Sequence, residues 1–97
     1  MSFIQIIEYE TDSPEQMSAL GEARTAEMGE PPPGFRLTVT QDRDQPNRYL
    51  TIIEFPSYEE AMENSRQPET GAFAEKMAAL CTSGPRFHNL DVRRAMP

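Results

Sequence analysis

The sequence predicts an α+β fold of the ferredoxin-like kind, with elements in the order β-α-β-β-α-β and one four-stranded antiparallel sheet. Two observations lead to this prediction: an apolar segment at residues 3–9 is echoed at residues 49–55, and the same helix-start signal follows each copy. Two matching β-α-β halves imply an internal two-fold relation. Because 97 residues have room for one hydrophobic core, we expect a single domain over residues 1–97.

The two copies of the repeat read FIQIIEY and YLTIIEF, so aromatic aligns with aromatic and Ile-Ile-Glu is identical. β-Branched and aromatic residues at this density favour strands. We therefore expect the copies to form the two central strands of the sheet, side by side and parallel.

A capping box follows each copy, in which a serine oxygen and a side chain three residues later satisfy free N–H groups of a helix. The first box joins Ser13 to Gln16 and includes Pro14, which suits the first helical position. The second box joins Ser57 to Glu60. Both copies of the strand therefore lead directly into a helix.

Prolines and glycines set the limits of the remaining elements. Pro68 interrupts the second helical region because it lacks a backbone N–H and disfavours helical geometry in the residue before it. The predicted helices cover residues 14–28, 58–66 and 68–80, and the other two strands cover residues 35–41 and 87–93.

Alternation along the strands divides the side chains between two sheet faces, and right-handed crossover helices cover only one of them. We expect the helices to cover an aliphatic face: Ile4, Ile6, Leu37, Val39, Leu50, Ile52, Leu90 and Val92. The face left open would then be the aromatic one: Phe3, Gln5, Ile7, Tyr9, Arg36, Thr38, Tyr49, Thr51, Ile53, Phe55, Asn89 and Asp91. Exposed rings mark interfaces or ligand sites, so this pattern predicts a homodimer whose two sheets enclose a lumen.

Charge and composition exclude several classes of protein. A net charge of −7 without a Lys/Arg cluster counts against nucleic acid as a partner. No segment approaches the roughly 20 apolar residues of a membrane span, and the N-terminus lacks a signal-peptide pattern, so we expect a cytoplasmic protein without membrane contact.

Cys81 has no partner for an internal disulfide and is expected to be a small buried hydrophobe. No Cys or His cluster suggests a metal site.

Several segments resemble the antibiotic biosynthesis monooxygenase family. They are PPGF at residues 32–35, RYLT at 48–51, EFPSYEEAM at 54–62 and the last strand, and the resemblance covers nearly the whole chain. It implies a dimeric α+β barrel and, for the family's oxygenases, action on aromatic polyketides without metal or flavin. The chain departs from the family pattern by having no tryptophan, and the absence of histidine from residues 58–80 disfavours haem degradation.

A cofactor-free oxygenase needs an apolar pocket with polar groups that hold a phenol and stabilise its deprotonated form. The candidates for the chemistry are Arg36, Asn64 and His88, and those for ligand binding are Tyr9, Tyr49, Arg66 and Asn89. Structural alternatives remain for these residues. The tyrosines suit an interface, Arg36 suits an ion pair with Asp91, Asn64 suits a helix end, and Asn89 suits a hydrogen bond to another side chain.

His88 is the one histidine of the chain. Alternation groups it with Leu90 and Val92, on the face that we expect beneath the helices. That position argues against its contact with a substrate in the lumen.

These residues support two functions. The first is a cofactor-independent monooxygenase that acts on a small aromatic or polyketide-like compound in the dimer lumen. The alternative is a non-catalytic small-molecule-binding or assembly protein of the same fold, which the missing tryptophan and the lack of a sharp catalytic motif favour. A lumen packed shut by Phe3, Tyr49 and Phe55 would support assembly, and a haem binder that uses His88 is a third hypothesis.

Overall fold

The computed structural model describes residues 2–96, so Met1 and Pro97 of the expected domain lie outside the described residues. Its elements are β1 (Phe3–Glu10), α1 (Pro14–Met28), β2 (Arg36–Gln41), β3 (Arg48–Phe55), α2 (Tyr58–Ser65), α3 (Pro68–Ala79) and β4 (Ser83–Asp91). The strands form one sheet in the order β2-β3-β1-β4, and each neighbouring pair is antiparallel. The ferredoxin-like order is confirmed, with the second helical region divided at Pro68.

The two repeated strands are neighbours at the centre of the sheet, but they run antiparallel, so the prediction of parallel strands was wrong. β1 pairs with β3 from Phe3 opposite Phe55 to Tyr9 opposite Tyr49. The connection explains the direction. The crossover through α1 makes β2 parallel to β1, and the turn that follows β2 reverses the chain into β3.

Only the second of the two capping boxes has its serine cap. The Ser57 hydroxyl accepts a hydrogen bond from the Glu60 N–H at 3.2 Å. Ser13 makes no side-chain cap, and its own N–H donates to Thr11 Oγ1 at 3.0 Å. Thr11 Oγ1 in turn donates to the Leu80 carbonyl at 2.6 Å, so this buried threonine joins the start of α1 to the end of α3.

The last strand begins at Ser83, ahead of the predicted start at residue 87. Gly84 has a φ of +83°, and a Cβ at this position would lie 2.8 Å from the Glu8 carbonyl oxygen. Only glycine allows this close approach without strain. Ser83 and Arg86 therefore pair with β1 across a register shift, in a segment that the sequence identified only as the end of a helix.

The sheet and the helices form two layers, and the shortest extent of the molecule is 19 Å. The core lies between them in two clusters of buried residues. One contains Ile7, Tyr9, Met17 and Met77, and the other contains Phe3, Phe55 and Ala61. The helices therefore cover the aromatic face, and the prediction that they cover the aliphatic face was wrong.

The reason for the reversal is the area of the side chains. An aromatic ring buries roughly 150–250 Å², more than any aliphatic side chain, so the face with the rings gains most from a cover. The open face of the two central strands carries Ile4, Ile6, Leu50 and Ile52. Leu37 and Val39 lie on the helix side by their register with β3, yet they are 44% and 60% exposed because β2 is an edge strand.

Cys81 follows α3 and packs, half-buried, against the tyrosine end of the core. Its thiol donates to the Met77 carbonyl at 3.2 Å, and burial raises the pKa of the thiol. The geometry is that of a small hydrophobe. Among the helices of the described residues, none has the length and apolar character needed to cross a membrane.

Candidate functional site

A cavity of about 430 Å³ lies at one end of the helical layer, between α1, α2, the start of α3 and the loop before β2. Small-molecule sites commonly have volumes of roughly 300–1,000 Å³. The cavity belongs to one protomer and opens on the helix side of the sheet. It is distinct from the lumen between two sheets that the sequence predicted.

The apolar wall of the cavity is built from two aromatic rings and two prolines. Phe35 meets Phe55 edge to face, with ring centroids 5.5 Å apart and planes at 76°. The loop between α1 and β2 comes close to this wall at Gly34, where φ is +86° and a Cβ would lie 2.9 Å from Cγ of Pro56. With Pro32 completing the wall, the surface suits a flat aromatic ligand.

Asn64 contributes to the polar wall from the last turn of α2. Backbone groups close this helix end, because Arg66 N donates to Met62 O at 3.2 Å and Gln67 N donates to Asn64 O at 3.2 Å. The side-chain amide of Asn64 is not needed to end the helix. The break before Pro68 therefore places Asn64 on the wall of the cavity, and its role in the chemistry stays a prediction.

Arg24 also lies on the cavity wall, and the sequence analysis missed it. Its side chain is only 13% exposed. Nη1 lies 2.9 Å from Glu27 Oε1, and Nη2 donates to Thr70 Oγ1 at 2.9 Å, so the guanidinium joins α1 to α3. An arginine one turn beyond Leu20, on the apolar side of α1, was the signal that could have revealed it.

Carboxylates form most of the remaining polar lining. They are Glu27 from α1, Glu60 and Glu63 from α2, and Glu69 from α3. All four side chains are exposed, so they lie at the rim of the cavity, while the rings of Phe35 and Phe55 form its wall.

Tyr9 and Tyr49 lie in the covered core at the other end of β1 and β3, away from the cavity lining. Their rings stack with centroids 5.7 Å apart. Burial raises the pKa of the Tyr9 phenol, and a hydrogen bond with the Thr51 side chain offsets part of that rise. The structure places both tyrosines beneath the helices, so the open-face position assigned to them from the sequence was wrong.

Arg36 and His88 both lie on the uncovered face of the sheet, because their Cα partners are Glu54 and Ile6. Neither lines the cavity. For His88 the expected position beneath the helices was wrong, although its grouping with Leu90 holds. The ring is partly exposed, with Nε2 at 3.2 Å from Glu8 Oε1.

The Glu8 carboxylate also lies 3.1 Å from Arg48 and 3.7 Å from Arg86. This ionic network on the uncovered face joins β1, β3 and β4. It was not predictable from the sequence, because the partners come from three separate segments.

The remaining candidates lie apart from the cavity. Asn89 accepts a hydrogen bond from Gln5 Nε2 at 3.0 Å, which is the structural alternative proposed for it. Arg66 is exposed at the end of α2 and is not part of the lining. Arg36 and Asp91 belong to opposite edge strands, which argues against an ion pair between them within one protomer. Within residues 2–96 no three His, Cys, Asp or Glu side chains are grouped so as to hold a metal ion.

Comparisons with known proteins bear on the fold. No family model and no curated protein matches the sequence. Solved structures do match. A mutant of SnoaB, a cofactor-independent oxygenase from Streptomyces nogalater, superposes with a TM-score of 0.81 at 23% identity, over 99% of this chain and 97% of its own. The chain shares its fold.

Two further solved structures agree. Rv0793 from Mycobacterium tuberculosis covers all of both chains with a TM-score of 0.80 at 15% identity. A provisionally named antibiotic biosynthesis monooxygenase from Nitrosomonas europaea has a TM-score of 0.77 at 14% identity, over 95% of this chain and 90% of that one. The structural resemblance to antibiotic biosynthesis monooxygenase-like proteins is confirmed at the level of the fold.

Proposed function

We propose that the chain is a cofactor-independent monooxygenase that acts on a small aromatic or polyketide-like compound. The observation that carries this proposal is the cavity, which combines the rings of Phe35 and Phe55 with the polar groups of Asn64 and Arg24. The fold shared with SnoaB, a cofactor-independent oxygenase, supports the type of reaction. The site is the cavity within each protomer, in place of the lumen between two sheets.

The proposed reaction uses the electrons of the substrate itself. A phenol that has lost its proton donates electrons to O₂, and the ring carbon that is attacked exchanges its C–H bond for a C=O bond. One oxygen atom of O₂ becomes the new carbonyl oxygen, and the other leaves as water. Phenol and O₂ together therefore give quinone and water, and the protein has only to hold the phenolate and accept its proton.

The polar wall offers groups for both tasks. The Asn64 amide can donate to a carbonyl or a phenolate oxygen, and the Arg24 guanidinium, whose side chain is only 13% exposed, can stabilise negative charge. The rim carboxylate Glu60 is available as a proton acceptor. Removing one preorganised donor of this kind lowers turnover by roughly 10²–10³.

Oxygen consumption with a panel of naphthols and larger fused-ring phenols tests the proposal. We expect Asn64→Ala and Arg24→Met to reduce kcat by about tenfold or more, with the melting temperature of Asn64→Ala close to that of the parent. Ser65→Ala is the matched control, since Ser65 is the exposed neighbour of Asn64 and does not line the cavity. Unchanged turnover in both cavity variants would discard these assignments.

The proposal includes a homodimer joined through the uncovered face of the sheet. Ile4, Ile6, Leu50 and Ile52 form an apolar strip there, and the family that the sequence resembles forms dimers through its sheets. A dimer would also surround the Glu8 network with a second copy of the chain. The cytoplasmic location stays a prediction.

A non-catalytic binding protein is the second candidate, and the composition of the lining favours it. Among the described lining residues there is no histidine, cysteine or tyrosine, and Arg24 is already paired. Phe3 and Phe55 are buried in the core, yet open space remains beside Phe55, which argues against a purely structural protein. If phenols bind to the protein and no O₂ is consumed, the result supports a non-catalytic binding protein.

A further inference from the structure

The charge of the cavity rim bears on which aromatic compounds can enter. The lining holds four carboxylates, Glu27, Glu60, Glu63 and Glu69, against one guanidinium, which leaves a net charge of −3. No lysine is among the described residues that line the cavity. A rim of one sign repels ligands of the same sign and attracts those of the opposite sign.

Arg24, the one cation among the described lining residues, offsets only part of this charge for a ligand. Arg24 Nη1 is 2.9 Å from the Glu27 carboxylate, and Nη2 is committed to Thr70 at 2.9 Å. A carboxylated ligand that paired with Arg24 would have to compete with Glu27, which is one helical turn away on the same helix. Glu60, Glu63 and Glu69 would still oppose it.

The apolar wall of the cavity also favours neutral and cationic ligands over carboxylated ones. The rings of Phe35 and Phe55 supply a surface for a neutral fused-ring compound. Aromatic faces also attract cations, so they favour an ammonium group and give nothing to a carboxylate. Asn64 and Gln67 add neutral amides to the lining, and these can bind a carbonyl or hydroxyl group.

We propose that this cavity selects neutral or amine-bearing aromatic compounds and discriminates against carboxylated ones, with Glu63 and Glu69 as specificity-determining residues. The inference rests on the proposed function, because it concerns the ligand of the same cavity. Rim charges that are partly solvated act weakly one by one. Together they give a preference of about fivefold per unit of ligand charge at low salt.

Matched ligands test this directly. The probes are a hydroxynaphthoic acid, its primary amide and the corresponding aminomethyl naphthol, all with the same ring positions substituted. Calorimetric titration of the parent protein should give the amine the lowest Kd, the amide a Kd about fivefold higher, and the acid a further fivefold. The preference should shrink as the salt concentration rises, because it is electrostatic.

Two variants locate the effect. The double variant Glu63→Gln and Glu69→Gln reduces the net charge of the lining from −3 to −1, so it should bring the three Kd values closer together, while binding of the neutral amide stays close to that of the parent. Glu59→Gln is the matched control, since Glu59 is an exposed glutamate of α2 outside the lining. It removes one carboxylate of the same kind and should leave the order and the size of the preference unchanged.

The outcomes separate the two proposals. An acid that binds as tightly as its amide overturns the charge selection and leaves the aromatic cavity standing. Kd ratios that keep their full size in the Glu63→Gln, Glu69→Gln protein overturn the assignment to these residues. If none of the three ligands binds, the proposed function fails and this inference fails with it.

Discussion

Tyr9 and Tyr49 stack beneath the helices with ring centroids 5.7 Å apart and planes 13° from parallel. Phe3 and Phe55 occupy the equivalent positions at the other end of the same strand pair, with centroids 6.5 Å apart. Each pair joins the first residue of one repeat copy to the last residue of the other. Antiparallel pairing of a repeated sequence thus places ring against ring at both ends of the core.

The two ends differ in what lies beyond the rings. Met17 and Met77 pack against the cluster at the tyrosine end. At the phenylalanine end, Phe55 borders the cavity. The internal two-fold relation therefore holds for the strands and ends at the helices, and that difference leaves a cavity of about 430 Å³ at the phenylalanine end.

Stability should fall as the pH rises above about 9. Burial raises the pKa of Tyr9 and of Cys81 above the ordinary values of 10.0 and 9.0, so the folded chain keeps both protons to a higher pH than the unfolded chain. The stabilising difference is fully present below the ordinary values and is lost as the pH rises through the folded pKa values. Urea unfolding at about pH 8, 9.5 and 10.5 measures the decline.

The double variant Tyr9→Phe and Cys81→Ala should show a flatter pH dependence than the parent. Tyr58→Phe is its control, because Tyr58 is 51% exposed. The stability of the Tyr58→Phe protein should fall with rising pH as that of the parent does. A parent protein that is as stable at the highest pH as at the lowest would contradict the argument.

Thr11→Val should destabilise the chain by about 1–3 kcal/mol. The Thr11 hydroxyl donates to Leu80 O at 2.6 Å and accepts from Ser13 N at 3.0 Å, in a side chain only 2% exposed. Valine keeps the shape and leaves both backbone groups without their partner. Urea unfolding measures the loss, and Thr82→Val, at an exposed position between α3 and β4, should stay within about 0.5 kcal/mol of the parent.

Two glycine substitutions should have opposite effects. Gly34→Ala places a Cβ 2.9 Å from Pro56 Cγ at a φ of +86°, so it should cost about 1–2 kcal/mol and displace the loop that walls the cavity. Gly21→Ala meets nothing within 4 Å in the middle of α1, so it should stabilise by up to about 1 kcal/mol.

Melting temperatures and the Kd of a neutral naphthol measure both glycine effects. The Gly34→Ala protein should bind the naphthol several times more weakly, since its loop carries Phe35. Gly21→Ala should leave the Kd unchanged. If the two variants bind the naphthol with equal affinity, the loop that carries Phe35 does not contribute to the ligand site.

Light scattering should give the parent protein twice the mass of one chain at micromolar concentration. Ile6 lies opposite Ile52 at the centre of the uncovered face, so Ile6→Asp should convert the dimer to a monomer by burying an unpaired charge. Ala26→Asp, on the exposed surface of α1, carries the same change and should remain dimeric. A monomeric parent would refute the dimer.

Much of the local structure was predictable from the sequence, because it depends on neighbouring residues. The repeat identified both central strands, and Pro68 placed the division between α2 and α3. The same break pointed to Asn64 as a candidate residue, and the structure brings its side chain to the cavity. For Ser57, the cap is complete within four residues of chain.

The site as a whole was not predictable in this way. Arg24, Phe35 and Asn64 come from three separate elements, and only their packing makes a cavity. Arg36 and His88 were chosen as side chains with suitable chemistry, yet the strand register turns them to the uncovered face. Their proposed roles in the chemistry stay predictions.

The sequence by itself determined the order of the elements, the repeat and the helix limits, since each follows from backbone preferences over a few residues. Only the tertiary structure decided which face of the sheet the helices cover. Alternation assigns side chains to two faces of the sheet but does not say which face is buried, because burial depends on the side chains that the helices bring from elsewhere in the chain. The same non-local packing decided the position of the cavity, which forms where α1, α2 and α3 fail to fill the space above Phe55.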